Sequence, residues 1–334
     1  MDRQPIISAK DVEITFSLRG KKLNAIRKCS LDLYDGETLA IVGESGSGKS
    51  VFTKTFVGML DVNGKITGGS IMYEGRDMTK FTEKDWLGIR GKKIAMVMQD
   101  PMTSLNPVYT IGNQIVEVIR LHTDKNKADA WARAKELLEL VGINEPEKRL
   151  KQYPHELSGG MRQRVMIAIA LACEPKLLIA DEPTTALDVT IQAQILELMQ
   201  DLRKKLGMSI IMITHDLGVV AQMCEKIAVM YAGHIVEYGT TDEIFYQPGH
   251  EYTKGLINSI PKLNTAEHER LVPIEGTPVD LLNPPAGCPF APRCKNCMKI
   301  CLSKMPPRTE LSDTHYTYCW LQQKAAFEKG EKAE

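Results

Sequence analysis

The sequence has no net charge: over 334 residues, 42 Lys and Arg balance 42 Asp and Glu. A chain without a basic surplus lacks the attraction that drives general nucleic-acid binding. Nor does it contain an uninterrupted apolar run approaching the roughly 18 residues that a membrane span needs. The chain itself is therefore expected not to cross a bilayer. A secretory segment is missing too. The opening MDRQPIISAKDVEITF carries Asp2 and reaches Lys10, Asp11 and Glu13 before an apolar core of secretory length develops, which predicts a cytoplasmic location. No long internal repeat is present. With 43% hydrophobic and 25% charged residues and a mean hydropathy of −0.20, the chain falls in the range of soluble globular proteins.

Its length suits one large domain or two ordinary ones. The eight cysteines divide it: Cys29, Cys173 and Cys224 are scattered, whereas Cys288, Cys294, Cys297, Cys301 and Cys319 crowd together. The change coincides with a Pro-rich passage from Pro261 to Pro292, which cannot be regular helix. A boundary is expected near residue 260, with one unit over 1–260 and an extension over 261–334. In the first unit, apolar runs of strand length (ETLAIVG, KIAMVMQ, KLLIADE, SIIMITH, KIAVMYAG) alternate with helix-period stretches (KADAWARAKELLELVG, SGGMRQRVMIAIALA, TIQAQILELMQDLRKKLG). That alternation predicts an α/β fold with a largely parallel sheet. The charged tail KAAFEKGEKAE is expected to fray.

After the strand ETLAIV comes Gly43-Glu44-Ser45-Gly46-Ser47-Gly48-Lys49-Ser50, matching G-x-x-x-x-G-K-[ST], and then an apolar helix-like stretch opening at Val51. This is the P-loop arrangement: the backbone N–H groups curl around an anion, Lys49 reaches the β and γ phosphates, and Ser50 offers its hydroxyl to Mg2+. A carboxylate pair, Asp181 and Glu182, follows the apolar strand LLIA at its C-terminal end, where ligands of open α/β sheets bind. Asp181 is placed to hold the magnesium. Glu182 is placed to activate the water that attacks the γ-phosphate. Between them, LSGGMRQR sets Ser158, Gly159 and Gly160 at a second helix start able to receive an anion.

Together these residues resemble the ATP-binding cassette (ABC) family: the octet its Walker A, LLIADE its Walker B, and LSGGMRQR its signature, over roughly residues 6 to 260. The resemblance implies the ABC-type nucleotide-binding fold, with a helical signature subdomain, and ATP hydrolysis. It implies that Gln99 in VMQDP is the Q-loop glutamine, a magnesium ligand beside Ser50 and Asp181 and a hinge toward the membrane subunit. His215 in ITHD matches the switch histidine near the γ-phosphate, Ala186-Leu187-Asp188 the D-loop, and Phe16 the aromatic that stacks on adenine. It also implies a head-to-tail nucleotide-sandwich dimer in which Ser158, Gly159 and Gly160 cap the partner's ATP.

The segment GCPFAPRC through Cys301 to Cys319 resembles the C-terminal extension of ATP-binding subunits from dipeptide and oligopeptide importers, as do QDPMTSLNPVYTIGNQ and HEYTKGLINSIP. The cargo implied is peptide, with nickel as the alternative. The implied partners are a related second ATPase subunit, two membrane permease subunits and an extracytoplasmic peptide-binding protein. The implied location is the cytoplasmic face of the cell membrane, held peripherally. A soluble cassette clamp on DNA or ribosomes is the competing reading; such clamps usually carry two cassettes or a long coiled-coil insertion, whereas this chain has one P-loop and one signature. A redox enzyme built on the cysteine tail would leave the nucleotide motifs unexplained. Clustered thiols in a reducing compartment favour metal over disulfides. The family pattern then gives Cys288, Cys294, Cys301 and Cys319 as ligands of a [4Fe-4S] cluster, with zinc the alternative; Cys297 is the odd one out, and its C-x2-C-x3-C spacing from Cys294 to Cys301 keeps it open as a substitute ligand. Reduced, partly buried thiols are the bland reading of the same residues.

Overall fold

The computed structural model describes residues 4–185, 187–260 and 273–323. The expected boundary at 260/261, Ala186 of the D-loop match and the tail from 324 lie at or beyond the limits of the described residues. Twelve strands are present among them. These are β1 (Pro5–Leu18), β2 (Lys21–Tyr34), β3 (Thr38–Val42), β4 (Gly64–Tyr73), β5 (Arg76–Asp77) and β6 (Ile94–Val97), followed by β7 (Leu177–Asp181), β8 (Ser209–Thr214), β9 (Lys226–Tyr231), β10 (His234–Thr240), β11 (Thr309–Glu310) and β12 (Tyr316–Thr317).

They form two sheets. The larger runs β11-β12-β10-β9-β3-β8-β7-β6, and its five strands from β9 to β6 are parallel to one another. These five are the apolar runs of the sequence. Continuous apolar strands are what a sheet covered on both faces requires. Alternation then sorts the side chains: Ala40, Val42, Leu178, Ala180, Ile210 and Met212 enter one core, while their neighbours Leu39, Ile41, Leu177, Ile179, Ile211 and Ile213 enter the other. The second core is closed by an antiparallel sheet, β2-β1-β4-β5. Its two 14-residue strands pair from Pro5↔Tyr34 to Leu18↔Lys21.

The first core is covered by helices. Ile111–His122, Lys127–Leu140 and Gly159–Ala170 pack together, burying Ile115, Ile119, Ala134, Leu137 and Val165 completely. Each starts at a side-chain cap, Thr110, Asn126 or Ser158, which accepts an otherwise orphaned N–H of the first turn. The long helix Val189–Leu206 is capped by Asp188 and ends at Gly207 in the left-handed conformation, φ 66°. Among the described residues, no helix is long and apolar enough to cross a membrane.

The C-terminal residues extend the large sheet. β12 pairs antiparallel with β10 through Glu237↔Thr317 and Tyr238↔Tyr316, and β11 pairs with β12. Under that edge lies a buried polar knot. The Glu237 carboxylate accepts the N–H groups of Gly249 and His250 and bonds His315 Nε2 at 2.8 Å. His250, 1% exposed, accepts the Tyr252 N–H at Nδ1 and so starts the helix Glu251–Asn258. Burial pushes the His250 imidazole down to about 4, outweighing the attraction of Glu237 and Glu251. The unfolded chain, with the ordinary value near 6.5, therefore binds more protons between the two. Stability from this group is full above pH ~6.5 and drains as pH falls toward 4. Melting curves from pH 7 to 4 should show a shallower loss of Tm in His250→Asn, which keeps a capping oxygen, than in the wild type. Equal slopes would remove His250 from the acid response.

Candidate functional site

At the end of β3 the chain turns through Gly43–Gly48 into the short helix Lys49–Lys54. Two glycines make the turn possible. At Gly43 (φ 151°) a Cβ would stand 2.1 Å from the Met230 carbonyl oxygen, and at Gly48 (φ 104°) 2.7 Å from Ile26 Cδ1. Lys49 curls back over the loop, only 6% exposed, and donates to the carbonyls of Gly43 (2.7 Å) and Glu44 (3.0 Å). Burial lowers its pKa despite the nearby carboxylates of Glu182, Asp181 and Glu44. Ser47 Oγ is buried and has no hydrogen-bond partner among the described residues. A desolvated ammonium and an orphaned hydroxyl at a helix start suit a phosphate group.

Across the sheet, Ser50 Oγ donates to Asp181 Oδ1 at 2.9 Å. Burial raises the Asp181 pKa, opposed by the Ser50 bond. These two hard oxygen donors, at the tip of β7 and the start of the P-loop helix, fit a magnesium ion. The next residue, Glu182, is held in the left-handed region at φ 47°, a conformation that costs a non-glycine about 1–3 kcal/mol. Its N–H donates to the Ile213 carbonyl at 2.9 Å, and its carboxylate accepts from Gln99 Nε2 (2.7 Å) and Thr185 Oγ1 (3.0 Å) and lies 3.3 Å from His215 Nδ1. Gln99, Glu182 and His215 are thus brought together from the ends of three neighbouring strands, β6, β7 and β8. Gln99 bonds Glu182 in this arrangement, beside the Ser50–Asp181 pair.

A cleft of about 490 Å³ opens beside these groups, bounded by Phe16, Ser45, Gly46, Gly48, Lys49, Ser50, Val51, Gln99 and Glu182. Ser158, Gly159 and Gly160 are not part of its lining. They sit at the start of the helix Gly159–Ala170, where Ser158 Oγ accepts the Met161 N–H. A Cβ added to Gly159 would meet only Leu187 at 3.7 Å, an ordinary contact, whereas one on Gly160 would press on Ile191 at 2.7 Å.

The metal expectation for the cysteine cluster is corrected. Cys288, Cys294, Cys301 and Cys319 do line one cavity, with Cys297 outside it, but its volume is about 20 Å³. Among the described residues, no group of three or more His, Cys, Asp or Glu has an arrangement that could hold a metal ion, so neither the iron–sulfur cluster nor zinc stands. The thiols sit instead where the extension joins the apolar core of the cassette. Cys288, Phe290, Ala291 and Cys301 belong to the main core, and the Phe290 ring packs on Tyr231, Tyr252 and His250 at centroid distances of 5.3, 5.4 and 5.9 Å. Burial pushes the Cys288 thiol up to about 12 and Cys294 to about 11. Cys288, Cys301 and Cys319 are buried free cysteines, Cys294 is half-buried and Cys297 exposed.

Three residues near the site escaped the sequence motifs. Leu281, from the extension, lines the cleft. Tyr252 Oη accepts the Glu44 N–H at 2.8 Å, and Arg293 grips the Glu44 carboxylate through two bonds of 2.6 and 3.0 Å. The sequence signal for Arg293 is its place inside GCPFAPRC, next to Cys294.

Comparison with known proteins agrees with this geometry. Residues 26–185 match the ABC transporter family model, and residues 236–301 match the model described as "Oligopeptide/dipeptide transporter, C-terminal region". The chain is 52% identical over 324 residues to the dipeptide transport ATP-binding protein DppD of Bacillus subtilis, covering 97% of this chain and 96% of that one. It is 56% identical over 317 residues to the oligopeptide transport ATP-binding protein OppD of the same organism, covering 95% and 88%. A solved dimeric structure of a post-hydrolysis ATP-binding cassette, MJ0796, bound to ADP and Pi, superposes with a TM-score of 0.64 at 27% identity, over 70% of this chain and 98% of that one. Identity of that order along almost the whole of both chains places the protein in the ABC transporter family, as an ATP-binding subunit with ATPase activity.

Proposed function

We propose that the chain is the ATP-hydrolysing subunit of an importer of dipeptides or oligopeptides. The observation that carries the ATPase half is the Ser50–Asp181 bond with buried Lys49 beside it. The peptide half is supported by relatives whose similarity runs through the C-terminal region as well as the cassette. In this reading the phosphates rest on Gly43–Ser50, and Phe16 stacks on the base. Ser50, Asp181 and Gln99 would hold a magnesium ion, which when bound would supply positive charge against the phosphates. Glu182 orients the attacking water, with His215 beside it, and its hydrogen bond to Gln99 ties the hydrolytic carboxylate to the hinge of the membrane contact. Residues 1–260 act as the nucleotide-binding unit and 261–334 as its extension.

The same reading has the protein lie peripherally on the cytoplasmic membrane face, beside two permease subunits, a related second cassette and an extracytoplasmic peptide-binding protein. Ser158, Gly159 and Gly160, remote from their own cleft, cap the nucleotide of the opposing cassette. In a reconstituted complex, peptide-loaded binding protein is expected to raise ATP turnover, and nickel is not; the opposite result would transfer the function to metal import. In that assay Gly159→Leu should cut stimulated turnover more than about tenfold while this chain still binds ATP, since a Cβ at this position meets only an ordinary contact and the residue lies outside the cleft lining. Loss of binding without a selective loss of turnover would count against the sandwich.

A further inference from the structure

We infer that Arg293, in the C-terminal extension, is a positioning residue for the P-loop, setting nucleotide affinity through Glu44. Its guanidinium is 3% exposed and every N–H is used. Nε donates to the Glu275 carbonyl at 3.0 Å. Nη1 donates to Glu44 Oε2 at 2.6 Å and Tyr231 Oη at 3.3 Å, and Nη2 to Glu44 Oε1 at 3.0 Å and the Ile274 carbonyl at 3.1 Å. A two-pronged pair with its guanidinium buried fixes orientation as well as position.

What it fixes is the second residue of the phosphate-binding turn. The Glu44 N–H is held by Tyr252, its carbonyl accepts the Lys49 ammonium at 3.0 Å and the Ser47 N–H at 3.2 Å, and its side chain is turned to Arg293. Glu44 thus anchors the two groups that would meet phosphate, the Lys49 tip and the Ser47 turn, from behind. The pattern G-x-x-x-x-G-K-[ST] leaves the residue at this position unspecified; here it is the handle by which residues 249 positions away grip the loop. The same stretch sets Leu281 in the cleft wall. Removing Arg293 frees the part-exposed Glu44 carboxylate to turn to water, and removing the Glu44 charge leaves the buried guanidinium without its counter-ion; either change loosens the loop.

The inference rests on the cleft being an ATP site, and the experiment separates the two. The full chain is titrated with MgATP, alongside Arg293→Gln, Glu44→Gln, the double variant and Arg293→Lys, with Tm measured for each. If the wild type fails to bind MgATP, the ATP reading itself falls. If it binds, each single variant is expected to raise the Kd about 5- to 20-fold, the double variant no further than either single, and Arg293→Lys to recover part of the loss as a single-point donor. E44Q leaves the extension intact and serves where R293Q does not fold. Unchanged Kd with a lowered Tm would make Arg293 structural only, and additive losses in the double variant would show that it does not act through Glu44; either overturns the proposal.

Discussion

Glu182→Gln is expected to slow ATP hydrolysis by about 10²- to 10⁴-fold, the range spanned by general-base catalysis, while ATP affinity stays within about twofold. The amide keeps the volume and an oxygen to accept from Gln99 Nε2 and Thr185 Oγ1, so the ring of contacts around position 182 survives. What is lost is the negative charge that polarises water. The left-handed backbone at 182 supports the same conclusion: strain held in place by the Ile213 carbonyl aims this one side chain, and Gln inherits the aim without the basicity. Closed, ATP-bound dimers should accumulate. A single-turnover measurement with ATP decides it, and a wild-type rate would take Glu182 out of the chemistry.

Lys49→Ala is expected to fail at the earlier step, raising the ATP Kd by roughly 10- to 100-fold. A hydrogen bond to a charged partner contributes about 1.5–3 kcal/mol, and every 1.4 kcal/mol is a factor of ten. The nucleotide-free protein should tolerate the change, because the ammonium it loses is already disfavoured by burial. The expected signature is therefore a nearly unaltered Tm without nucleotide and a lost rise in Tm on adding ATP. Calorimetric titration checks the affinity, and binding as tight as wild type would mean that the loop does not cradle phosphate.

The parallel half of the large sheet was legible because fully buried strands must be apolar throughout: LAIV, LLIA and SIIMIT carry that demand in their composition. The nucleotide groups were legible for a different reason. Gly43, Gly48, Lys49 and Ser50 are adjacent in sequence, and Asp181 and Glu182 follow one strand, so local order already encodes their proximity. The antiparallel sheet was harder, since β1 and β2 alternate burial with bulges, as between Ala9 and Val12. The extension was misread where the information is nonlocal. Nothing within GCPFAPRC shows that Phe290 has Tyr231 and Tyr252 to pack against, or that Arg293 has Glu44. The clustering of cysteines pointed to a metal, whereas several of them join a core shared with the cassette.

The pairing of β12 with β10, reinforced by the Tyr318 N–H on the Val236 carbonyl at 2.9 Å, bears on how the chain is made. Translation proceeds at about 5–20 residues per second, so on the order of ten seconds or more separates the P-loop from the residues that back it. In the last part of that interval, from the completion of β10 at Thr240 until β12 follows at Tyr316, the newborn cassette presents β10 as an open edge, whose unsatisfied N–H and C=O groups invite pairing with other chains. A chain cut short near residue 260 is expected to leave that edge open, so the pairing of β12 with β10 protects the cassette as well as extending its sheet.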